Sequence, residues 1–192
     1  MKGDLCYDLF MADEGNEKFI RLEKFWVEVG LRAGQTMAHL GCGPGFYLIP
    51  AAKIVGEKGK AIGIDILEDK LAETEARAKR MGVEKIVRVA RGNLENQNGS
   101  TLKEEMADFV LVANILHQSD PATILKEAKR ILKPEGKVVV VEWSTAASPL
   151  GPPQEHRLAR NDALEVAKEA GLWLAREFTP SPYHYGLLLA KG

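Results

Sequence analysis

A chain of 192 residues with 45% hydrophobic and 28% charged side chains is long enough to bury a substantial core and falls in the ordinary globular range. With 26 Lys and Arg against 27 Asp and Glu, no global field draws in nucleic acid or an anionic membrane, so no nucleic-acid partner is expected. Met1 to Asp8 lack the apolar stretch of a leader and the longest strongly apolar run, Val138 to Val141, is far too short to cross a bilayer, so a cytoplasmic protein without membrane insertion is expected. The 2 cysteines, Cys6 and Cys42, make neither a disulfide framework nor a zinc site by themselves, and no metal is expected.

In chain order, Phe19, Leu22, Phe25, Trp26 and Val29 fall at helical spacing and form one apolar stripe that Gly30 ends. The spacing then predicts a strand over Thr36 to Leu40 and a helix over Tyr47 to Val55, with Pro50 near its start, where a missing N–H costs little. A second strand is expected at Lys60 to Asp65, a charged amphipathic helix at Leu67 to Met81 closed by Gly82, and a third strand at Ile86 to Ala90. Asp108 to Ala113 reads as a strand, Ala122 to Leu132 as a helix and Gly136 to Trp143 as a fifth strand. This alternation is the pattern of a parallel sheet covered by helices. A proline-rich loop, Ser148 to Pro153, and a helix at Asn161 to Ala170 lead to two strand-like segments, Trp173 to Thr179 and Tyr183 to Ala190. Only Pro180, Ser181 and Pro182 separate these two, a connection that joins antiparallel strands but not parallel ones. The sheet is therefore expected to be mostly parallel, with one reversed strand at or near an edge.

The turn Gly41-Cys42-Gly43-Pro44-Gly45 follows the first strand, where open α/β sheets bind ligands. Glycines there let the backbone turn sharply and let a ligand approach more closely than a Cβ permits. Asp65, at the end of the second strand, can accept both hydroxyls of a ribose, and together the two features predict an adenosine-containing cofactor. The dinucleotide pattern requires a small residue at position 46, where this chain has Phe46, so NAD is disfavoured. No Gly-Lys-Ser/Thr sequence is present to form a triphosphate-binding loop.

The segment His39 to Gly45 resembles the first motif of class I S-adenosylmethionine-dependent methyltransferases, and Ala61 to Asp65 resembles their second-strand motif. Arg91-Gly92-Asn93-Leu94, Ala107 to His117 and Ile131 to Gly136 resemble, in order, their third-strand end, fourth-strand motif and turn into the fifth strand. The likeness is nearest to the small enzymes of ubiquinone and menaquinone biosynthesis. It implies an α/β, Rossmann-like, doubly wound sheet of seven strands in order 3-2-1-4-5-7-6 with strand 7 antiparallel. The resemblance covers about residues 30 to 192; a single methyltransferase-type domain over 1–192 is expected, with 1–30 a helical or lid segment in which Tyr7 and Phe10 either fold over the cofactor or belong to a frayed terminus. S-adenosylmethionine is the implied cofactor, S-adenosylhomocysteine the product, and a small molecule the acceptor. A non-catalytic protein that binds the same cofactor as a sensor or partner subunit is the competing reading. The implied cofactor residues are His39, Gly41, Cys42, Gly43, Gly45, Asp65, Ile66, Asn93, Leu94 and Asn114.

His39 departs from the family pattern, which places an acidic residue there to hold the cofactor's ammonium group. A neutral imidazole accepts a hydrogen bond from that group, whereas a protonated one repels it, so affinity is expected to weaken on acidification if His39 faces the cofactor. Alternatively, backbone carbonyls and water hold the ammonium and His39 is merely tolerated. In-line transfer from a sulfonium requires alignment of an acceptor, exclusion of water and, for some acceptors, removal of a proton. Topology brings Asn114, His117, Glu142, Trp143, His156, Tyr183 and His184 toward one mouth. His117 is the first candidate for a base or acceptor-positioning group, with Tyr183, His184 and His156 as candidate acceptor contacts. Three histidines on one face are also a conceivable metal site.

Overall fold

A computed structural model describes residues 20–192. Tyr7, Phe10 and Phe19 lie outside this range. Helix α1, Leu22–Val29, buries Phe25, Trp26 and Val29 and stops at Gly30, whose left-handed φ of 89° breaks the repeat. Trp26 Nε1 donates to the Tyr47 carbonyl at 2.9 Å, fixing α1 against the chain that leaves the glycine turn.

The parallel strands are β1 Thr36–Leu40, β2 Lys60–Asp65, β3 Val87–Arg91, β4 Ala107–Ala113 and β5 Leu132–Trp143. The chain ends in β6 Leu172–Ser181 and β7 His184–Lys191, and β7 runs antiparallel to both β5 and β6. The seven strands lie in the order β3-β2-β1-β4-β5-β7-β6, as the resemblance implied. Helices α2 Leu48–Val55 and α3 Glu68–Arg80 join α1 on one face, while α4 Pro121–Ile131 and α5 Arg160–Glu169 cover the other. Side chains alternate between these layers. Phe109 and Leu111 pack with α1 and α2, whereas Val110 and Val112 pack with α4. Both faces being dry explains why the central strands read as continuous apolar runs.

Several boundaries differ from the sequence reading. Helix α4 passes directly into β5 at Leu132, four residues before the expected start, because Leu132 pairs with Ala107 across a register shift. Asp108 holds this corner: its carboxylate accepts from the Thr36 amide and from Lys133 Nζ, both at 2.7 Å. The terminal hairpin turns on Pro182 and Tyr183 alone, tighter than the expected three-residue loop. Pro50 does fall in the first turn of α2. Between β1 and β4 the chain changes its direction of winding, which opens a crevice at the carboxyl ends of these strands.

Candidate active site

The floor of the crevice is the turn after β1. Gly41, Gly43 and Gly45 all have positive φ, at 74°, 50° and 82°. A Cβ at Gly41 would stand 2.8 Å from Ile115 Cγ2, so both conformation and space require glycine there. Neighbouring elements hold the turn rigidly. The amides of Gly41 and Cys42 both donate to the Ile64 carbonyl, and Thr74 Oγ1 of α3 donates to the Gly43 carbonyl at 2.8 Å. Asp65 accepts from the Gly43 amide at 2.8 Å and the Leu67 amide at 3.0 Å. A carboxylate has about four lone-pair sites, so two remain for a ligand. Burial, reinforced by the Asp65 charge, pushes the Cys42 thiol up to about 12, making it an inert space-filler beside Gly63. Phe46 lies under the Arg77 guanidinium, 4.3 Å from its ring centroid.

Above this floor is a cavity of about 470 Å³, within the size range of small-molecule sites. His39, Gly41, Cys42, Gly43 and Asp65 line one end, and Ile66, Asn93 and Leu94 belong to the same wall. Asn114 and His117 line the opposite side, together with Trp143. Gly45 is set back from the cavity against Thr74, where it lets α3 approach the turn. Asn93 closes its own loop by accepting the Glu95 amide at 3.0 Å.

Three polar groups on the cavity wall are buried without a partner among the described residues: both ring nitrogens of His39, the Tyr47 hydroxyl and Asn114 Oδ1. Leaving such groups unmet costs roughly 1–3 kcal/mol each, so their concentration on one cavity points to a polar ligand. Asn114 also adopts a φ of 55°, a left-handed conformation at the exit of β4 that orients this wall. Burial lowers the His39 pKa to about 3, so its imidazole is neutral throughout the mildly acidic range. The expected loss of affinity on mild acidification is thereby corrected, since the repelling protonated form is not reached.

On the other side of the mouth, Glu142 is fully buried at the end of β5. Its Oε1 accepts from the Leu116 amide at 2.8 Å, and its Oε2 lies 2.9 Å from His117 Nδ1. Sequence reasoning placed Glu142 near the mouth without assigning it this contact.

The other predicted acceptor contacts do not line the cavity. His184 is buried behind Trp143, ring centroids 4.1 Å apart, with Nδ1 2.8 Å from Ser181 Oγ. Burial, then the Arg157 charge, lowers its pKa to about 4. Tyr183 sits in the hairpin turn, where its carbonyl accepts from the Ser144 amide at 2.8 Å. His156 is exposed on a single 3-10 turn, Gln154–His156. The histidines are thus separated, and among the described residues no group of His, Cys, Asp and Glu could hold a metal ion. Arg157 had no sequence signal, yet its buried guanidinium donates to the carbonyls of Ser144, Ala146, Leu150 and Pro152, shaping the loop after β5.

The family profile described as a methyltransferase domain matches residues 31–173, which contain the glycine turn and both walls of the cavity. The chain belongs to the methyltransferase-domain family. A demethylmenaquinone methyltransferase from Lactobacillus johnsonii is 28% identical over 129 residues, covering 67% of this chain and 52% of that protein. Its counterpart from Lactococcus lactis subsp. lactis is 32% identical over 127 residues, covering 64% and 47%. The chain therefore spans about half the length of these curated relatives. A crystal structure of an S-adenosylmethionine-dependent methyltransferase from Aquifex aeolicus superposes with a TM-score of 0.85 at 29% identity, covering 97% of this chain and 96% of that one.

That neighbour is described as dependent on S-adenosylmethionine. The methyltransferase's own geometry fits such a ligand. It offers a turn with three positive-φ glycines, a carboxylate with spare lone pairs and three buried polar groups that find no partner among the described residues.

Proposed function

We propose that this methyltransferase transfers a methyl group to a small-molecule acceptor seated between the ends of β4 and β5. The observation that carries the reading is the cluster of polar atoms on His39, Tyr47 and Asn114, without partners among the described residues, around a crevice floored by the glycine turn. In this arrangement Asp65 holds the ribose, Ile66 and Leu94 enclose the adenine, and Asn93 meets its polar edge. Gly41, Cys42 and Gly43 carry the cofactor's backbone-facing side, while Gly45 keeps the turn closed on α3. His39 and Tyr47 accept from the ammonium end as neutral groups. When bound, S-adenosylmethionine supplies an electrophilic methyl group. The protein aligns the acceptor, and Trp143 with the loop held by Arg157 keeps water away.

The curated relatives' names give demethylmenaquinone as the acceptor of those proteins; for this chain they support a small, largely apolar acceptor. Incubating the protein with methyl-labelled cofactor and a small-molecule fraction of cell extract tests the reading. Label in a low-mass product, with matching release of S-adenosylhomocysteine, is expected. Label appearing only in protein or nucleic acid would contradict it.

A further inference from the structure

His117 and Glu142 form a pair whose arrangement goes beyond cofactor binding. Glu142 is a completely buried carboxylate, and His117 is the side chain paired with it among the described residues. The Leu116 amide fixes the second carboxylate oxygen, so the group cannot rotate freely. His117 retains only 10% side-chain exposure and lines the cavity. Tyr47, preceding α2, and Tyr185, opposite Glu142 on β7, also sense the Glu142 charge. Burial first and that charge second push both phenols up, so they remain protonated and neutral. Of the groups around the carboxylate, the imidazole is the one suited to take a proton.

A carboxylate on Nδ1 holds the proton there and leaves Nε2 as the accepting nitrogen, and it stabilises the imidazolium once formed. Nδ1 is the atom engaged here. A thiolate acceptor needs no such base, and a simple amine loses its proton to water before reaction. An aromatic hydroxyl is different: protonated at neutral pH and weakly nucleophilic, it must lose its proton as its oxygen is methylated. Ile115, Ile124 and Trp143 supply apolar walls on this side of the cavity.

We propose that His117, positioned by Glu142, is the general base for an aromatic hydroxyl acceptor, an inference that rests on the methyl-transfer reading above. The acceptor's O–H bond breaks and its proton passes to Nε2. The oxygen forms the new bond to the methyl carbon, and the methyl–sulfur bond breaks with its electron pair left on sulfur. The imidazolium, paired with Glu142, then returns its proton to water. His117 is the catalytic residue and Glu142 a positioning residue.

The test uses the full chain saturated with S-adenosylhomocysteine and titrated with 4-nitrophenol and 4-nitrocatechol, following phenolate absorbance against pH. Bound phenol is expected to ionise more readily than in water, by about tenfold in its ionisation constant, or about one pH unit. Glu142→Gln should reduce that shift and His117→Asn abolish it, with calorimetric affinity for S-adenosylhomocysteine retained in both. If Glu142→Gln does not fold, the comparison of wild type with His117→Asn decides. Binding of neither phenol by the loaded wild-type protein, or an undiminished shift in His117→Asn, overturns the proposal. Failure of the wild-type protein to bind S-adenosylhomocysteine is distinguishable from these results and removes the methyl-transfer reading as well.

Discussion

Asp65 braces the glycine turn and keeps lone pairs that the proposed reading gives to a ribose. A hydrogen bond to a charged group contributes about 1.5–3 kcal/mol, so Asp65→Ala should weaken S-adenosylhomocysteine binding roughly 10- to 100-fold. Unchanged affinity by calorimetry would contradict the ribose contact. His39 presents the opposite case, a site where the family's charge is replaced by a buried neutral ring. Affinity of the wild-type protein should stay flat from pH 8 to 5.5, because the imidazole does not titrate in that window. His39→Asp should bind the ammonium-bearing ligand more tightly yet lower the melting temperature of the free protein, since an unpaired carboxylate must then be buried. Scanning calorimetry with and without ligand measures both effects; a variant with weaker binding would show that the imidazole makes a contact of its own. Asp65 and the three glycines were legible from spacing along the chain. The Tyr47 hydroxyl, without a partner among the described residues, was not, since that depends on which distant groups fail to reach it.

At the scale of elements, the loop after β5 depends on one guanidinium. Arg157 satisfies four carbonyls between Ser144 and Pro152, and Gly151, at φ 84°, packs where a Cβ would be 2.6 Å from the Trp143 ring. Arg157→Ala should cost about 2–3 kcal/mol in urea denaturation and expose residues 144–153 to proteolysis. A stable variant with an unchanged cleavage pattern would mean that the loop is held by other contacts. Topology correctly delivers β7 beside the end of β5, but the register pairs His184 with Trp143, and His184 packs against the Trp143 ring, which lines the cavity, instead of lining it itself. Strand order fixes which chain ends are neighbours; side-chain direction at those ends depends on register, which the sequence does not display.

For the whole molecule, two buried neutral histidines couple folding to pH. His39 and His184 have folded-state values near 3 and 4, below the unfolded value of about 6.5. The unfolded chain therefore binds more protons in mild acid, and stability falls as pH drops below about 6.5. Each histidine contributes roughly 2 kcal/mol of loss between pH 6.5 and 5. Urea melts across that range should show the decline, and His184→Asn should roughly halve it; a pH-independent midpoint would contradict the burial of both rings. The layered sheet was largely legible, because dry faces impose apolar runs and helices impose a 3.6-residue period. The His117–Glu142 contact was only partly so: both residues were placed near the mouth, but their hydrogen bond joins positions 25 apart in sequence. On the proposed reading, the crevice at the ends of β1 and β4 binds S-adenosylmethionine. Calorimetric titration of the purified protein with S-adenosylhomocysteine tests it most directly: saturable binding at one site per chain, weakened in Asp65→Ala, is predicted. No heat and no thermal shift with either S-adenosylhomocysteine or S-adenosylmethionine would contradict it.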